Sequence, residues 1–94
     1  MNTKMLNRAL HMPELPIGPR MVLMYLTRHC EAGTVSCSPS TKLLADETCL
    51  SRRSVVSHLG WLEGQGLIER TTQFAKIGTQ LPNVYVLHLE EKAQ

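Results

Sequence analysis

Two adjacent arginines, Arg52 and Arg53, carry the clearest chemical potential in this sequence, because they follow a serine and precede an apolar stripe at helical spacing. Ser51 has a hydroxyl suited to capping a helix, and Val55, Leu59 and Leu62 recur at four- and three-residue steps behind it. With that stripe turned inward, Arg52, Arg53, Val56, Ser57 and Gly60 are left for the outer face. A helix N-terminus carries partial positive charge, so two guanidinium groups there are unfavourable for the helix alone. An external anion relieves the conflict. A DNA phosphate or a guanine edge is such a group, and a bidentate arginine–guanine pair is worth roughly 1–3 kcal/mol of base discrimination. The Val56 side chain suits a thymine methyl.

Other chemistries find no residues to run on. There is no nucleophile beside a base, no paired-carboxylate site and no glycine-rich phosphate loop, so the sequence is not read as an enzyme and no cofactor is expected. Asp46 and Glu47 are adjacent, and adjacent side chains on a helix diverge. The cysteines Cys30, Cys37 and Cys49 are odd in number and contain no C-x-x-C pair, which argues against a disulfide framework and a zinc site and for reduced thiols. No apolar run resembles a signal peptide or a membrane span, so a cytoplasmic, nucleoid-associated protein is expected. A net charge of +2 and a pI near 8.6 are mildly basic, and the distribution of charge must decide what the chain binds.

The elements that position these arginines follow from periodicity and punctuation. With 94 residues the chain is one small domain, and its 4% aromatic content leaves the core to Leu, Val, Ile, Met and Ala. Residues 3–12 predict a short amphipathic helix, and 13–19, with three prolines, an extended lead-in. A helix from Pro19 to about Cys30 follows, with Val22, Leu23 and Leu26 inward and Met21 and Met24 filling the core edge. A very short strand is expected at 34–37 and a second short helix at about 40–47, burying Leu43, Leu44 and Ala45. After a tight turn at 48–50 comes the arginine-headed helix, ending near Gln65 before Gly66. Strands at 67–73 and 83–89 enclose a loop holding Lys76. His58 is expected as a partly buried neighbour of the helix that begins at Pro19, and Trp61 to pack on the N-terminal segment rather than stack on a base.

Two short helices joined by a tight turn, the second well capped, make a helix-turn-helix, and the trailing hairpin makes a wing. The expected fold is therefore α+β, a winged helix-turn-helix with a three-helix core and a C-terminal β-hairpin, preceded by a short N-terminal helix. Residues 1–14 form the N-terminal arm, 15–89 the winged domain and 90–94 a polar tail.

The stretches Arg20–Leu26, Cys37-Ser38-Pro39-Ser40, Leu50-Ser51-Arg52-Arg53-Ser54-Val55, Leu62–Arg70 and Asn83-Val84-Tyr85 resemble the winged helix-turn-helix domains of phage and plasmid replication proteins and related small bacterial regulators. The resemblance covers residues 15–89. It implies that Arg52 and Arg53 reach bases or phosphates, that Ser51 and Ser54 contact phosphate, and that Ser57 lies against the groove. Lys42 would touch the DNA backbone from the preceding helix, and Lys76 in the wing would reach the minor groove or phosphates. The sequence departs from these relatives at Val56, Gly60 and Trp61, where polar or charged residues are frequent. The resemblance implies double-stranded DNA as partner and an origin-binding role beside other replication proteins. An operator-binding regulator is the alternative, dimeric through the N-terminal helix, with half-sites about one helical turn apart. Arg52-Arg53 as solvated charge, and a protein-docking winged helix diluted by Glu63, Glu69, Glu90 and Glu91, are the competing readings.

Overall fold

The computed structural model describes residues 2–74 and 80–89. The first described residue is Asn2, whose Oδ1 accepts from the Met5 amide at 3.1 Å and so caps α1 (Thr3–Leu10). The same side chain donates through Nδ2 to the Thr34 carbonyl at 2.6 Å, and its backbone N–H donates to Thr27 O at 3.1 Å. One buried residue thus starts the helix and ties it to two later segments. Met5 and Ala9 point into the core, and Leu15 in the lead-in joins them.

Helix α2 (Ile17–His29) begins two residues earlier than the proline suggests. Pro16 takes the extended N-cap position and Pro19 falls inside the first turn, where a missing N–H leaves no bond unmade. Val22, Leu23, Leu26 and Cys30 are fully buried, while Met21 is 38% exposed rather than filling the core edge. β1 is only Ser36–Cys37.

Ser40 caps α3 (Thr41–Thr48), accepting from Leu43 N at 3.0 Å. Leu44, Ala45 and Thr48 form the buried arc of this helix. Leu43 lies off that arc and stays 40% exposed, contrary to the sequence expectation. Helix α3 is fastened to α2 by Glu47, which lies 2.6 Å from His29 Nε2 and 3.6 Å from an Arg28 nitrogen.

Helix α4 (Arg52–Gly64) buries Val55, Leu59 and Leu62, the stripe expected from its spacing. Its end is a Schellman closure. Gly66 adopts φ +76°, its N–H donates to Glu63 O at 3.0 Å, and the Leu67 N–H donates to Leu62 O at 3.1 Å. The chain then turns into β2 (Ile68–Phe74) and returns as β3 (Gln80–Leu87). The sheet is antiparallel in the order β1-β3-β2, with Cys37 opposite Tyr85 and Arg70 opposite Tyr85 on the other side.

β3 starts three residues before the position expected from its alternation. The register slips between Thr71↔Val84 and Gln73↔Leu81, so two residues of β3, Pro82 and Asn83, oppose one of β2. That bulge absorbs a proline that a regular ladder would reject. Ile68, Tyr85, Leu87 and Leu89 close the core over α2 and α4. Four helices and a three-stranded antiparallel sheet make an α+β winged helix-turn-helix with a short leading helix.

Candidate nucleic-acid interface

The turn between α3 and α4 spans Cys49 to Ser51. Thr48 ends α3 with its hydroxyl donating to Leu44 O at 2.7 Å, and the same oxygen receives the Leu50 N–H at 3.4 Å. Cys49 then takes φ +61°, a left-handed conformation that glycine or asparagine adopts at lower cost. This residue reverses the chain and lets α4 pack across α3.

Ser51 heads α4. Its hydroxyl accepts from Ser54 N at 3.1 Å and donates to Ser54 Oγ at 3.0 Å. The hydroxyls of Ser51 and Ser54 therefore organise the first turn, and Ser54 is only half-buried at its base. Arg52, Arg53, Val56, Ser57 and Gly60 are all exposed on the side opposite Val55, Leu59 and Leu62. Val56 is 50% exposed, a large value for an aliphatic residue in the middle of a packed helix. Lys42 is exposed on the first turn of α3.

The charge arrangement is uneven. Arg70 meets Glu63 at 2.9 Å, Arg28 meets Glu47, and Arg20 is held by backbone carbonyls. Lys42, Arg52 and Arg53 have no carboxylate partner among the described residues. No acidic residue occupies the first turn of α3 or α4. Lys42, Arg52 and Arg53 thus stand on the first turns of two helices, ends that already favour anions. Lys76 and the loop that carries it lie outside the described residues.

His58 packs where the sequence suggested, on the start of α2: a Cβ placed on Gly18 would come within 2.6 Å of the imidazole ring. Gly18 therefore permits the close crossing of α2 and α4 that holds the outer face of α4 in place. Trp61 keeps 37% of its surface exposed. Among the described residues no group of three His, Cys, Asp or Glu side chains is placed to hold a metal ion, and no helix is long and apolar enough to cross a membrane.

The positioning residue that spacing did not reveal is Arg20. Its Nη1 donates to Leu10 O at 2.6 Å and Ala9 O at 3.4 Å, and its Nη2 donates to Met12 O and to Leu15 O at 2.8 Å. One guanidinium satisfies the orphan carbonyls at the end of α1 and those of the lead-in. Only the three prolines of the lead-in, which supply no backbone N–H, hinted at the need for such a donor.

Capped α3, a left-handed turn, capped α4 and a following hairpin define the molecule as a winged helix-turn-helix protein, and a helix-turn-helix is a DNA-reading motif. The family model for the helix-turn-helix domain matches residues 14–68, more than half of the chain, and the protein belongs to that family. No curated protein and no solved structure matches it significantly.

Proposed function

We propose that this protein binds double-stranded DNA sequence-specifically, with the N-terminal half of α4 in the major groove and the first turn of α3 on the phosphate backbone. The observation that carries the reading is that Lys42, Arg52 and Arg53, on the first turns of α3 and α4, have no carboxylate partner among the described residues. Arg52 and Arg53 serve base edges and phosphates, Ser57 and Val56 line the groove, and Lys42 holds a phosphate. The Ser51 and Ser54 hydroxyls contribute chiefly by fixing the first turn of α4, with any phosphate contact added to that role. By the resemblance, Lys76 adds a contact to phosphates or the minor groove.

The setting we favour is an origin-binding domain of a phage, satellite or plasmid replication initiator, on the resemblance of Leu50–Val55 and Leu62–Arg70 to such proteins. An operator-binding dimer joined through α1 is less favoured, because Met5 and Ala9 of α1 are already spent on the chain's own core. Selection from a random duplex pool, followed by sequencing, tests the proposal. An enriched motif found as direct repeats in the source replicon supports an origin binder, and a lone palindrome supports a regulator. Absence of any enriched duplex refutes DNA reading and leaves a protein-docking module.

A further inference from the structure

Gly60 is a residue the fold does not need. It lies in the ninth position of a thirteen-residue helix, where glycine is less favourable than alanine. A Cβ built there would meet nothing within 4 Å, so no neighbour in the chain demands its absence, and its φ is not in the left-handed range. Gly18 shows the contrast, since its missing Cβ makes room for His58. Gly60 shares a helix row with Arg52 and Val56, at four-residue steps, on the exposed side of α4. From Arg52 to Gly60 the helix rises about 12 Å at 1.5 Å per residue, so the row spans several base steps.

Resting on the DNA-binding reading above, we propose that the row Arg52–Val56–Gly60 is a specificity surface cut low for close approach. Gly60 admits the far wall of the groove, the sugar-phosphate of one strand, against the bare helix backbone. The helix sits deeper as a result. Val56, half-exposed and midway along the row, then reaches a thymine C5-methyl in the base step next to the one read by Arg52. The bound sequence therefore carries a thymine whose methyl, not its hydrogen-bonding edge, is recognised.

The test uses the full chain and its selected duplex. Gly60→Ala raises the thermal midpoint of the free protein by a few degrees, because the helix gains and nothing clashes, yet weakens duplex binding tenfold or more. Replacing each thymine in turn by deoxyuridine removes one methyl, and at one position costs about fourfold in affinity, the worth of a single buried methyl-sized group. That loss disappears in Val56→Ala. If the wild-type protein selects a duplex but Gly60→Ala binds it unchanged, the close approach is refuted. If no deoxyuridine position matters, or the loss persists in Val56→Ala, the methyl contact is refuted while DNA binding stands. If no duplex is bound at all, both readings fall together.

Discussion

Replacing Arg20 by alanine removes a guanidinium that donates to four backbone carbonyls, those of Ala9, Leu10, Met12 and Leu15. Hydrogen bonds from a charged donor contribute about 1.5–3 kcal/mol each in isolation, but these four share one side chain and Arg20 is only half-buried. Water replaces part of what is lost at the outer carbonyls. A net loss of roughly 2 kcal/mol is therefore expected, concentrated where Leu15 O and Met12 O are partly buried. For a domain of this size that lowers the thermal midpoint by roughly 8–16 °C. The assay is thermal unfolding by circular dichroism, with amide hydrogen exchange on α1. Arg20→Lys keeps the charge but has one ammonium in place of a planar fork, so it recovers only part of the loss. A midpoint within 2 °C of the wild type, with α1 exchange unchanged, would refute the reasoning and return α1 to a frayed arm.

Two further perturbations follow from the cysteines. Burial raises the pKa of both Cys30 and Cys37 above the ordinary value of 9.0, so the folded chain keeps these thiols protonated where an unfolded chain ionises them. The folded state then binds more protons above about pH 9, and unfolding free energy falls as the pH rises there, by at most about 1.4 kcal/mol per pH unit for a thiol that stays protonated. Urea titrations between pH 7 and 10.5 check this, and a Cys30→Ala variant with an unaltered slope would contradict it. Cys49 is exposed and left-handed, so Cys49→Asn is expected to stabilise the domain by up to ~1 kcal/mol. A lower urea midpoint would show that the turn is not strained.

Much of the fold was legible because local chemistry and packing agree. Ser40 and Ser51 are where hydroxyl caps belong, Gly66 takes the left-handed closure, and Val55, Leu59 and Leu62 are buried at the spacing that announces them. What escaped was set by tertiary contacts or by residues standing in for more usual ones. Nothing in the spacing of Arg20 says that its side chain turns back on four carbonyls. Cys49 fills a turn position where glycine or asparagine would have signalled the conformation. Leu43 looks like core in a list of apolar residues, and only the placement of Leu44, Ala45 and Thr48 moves it to the rim. Pro82 masked the start of β3 because a bulge is a property of two strands, not one. At the candidate site, the outer face of α4 came directly from subtracting the buried stripe. The missing carboxylate partners of Lys42, Arg52 and Arg53 emerged only once the other charges were placed.

The most direct test of the central claim is the salt dependence of duplex binding by the wild type and by Lys42→Ala, Arg52→Ala and Arg53→Ala. If these cations meet DNA, log affinity falls linearly with log salt, and each substitution that removes a phosphate contact makes the slope shallower by about 0.9. Arg52→Ala should in addition relax preference at one base pair. A wild-type slope near zero, or slopes unchanged in all three variants, would contradict the account and send the search for a partner to proteins.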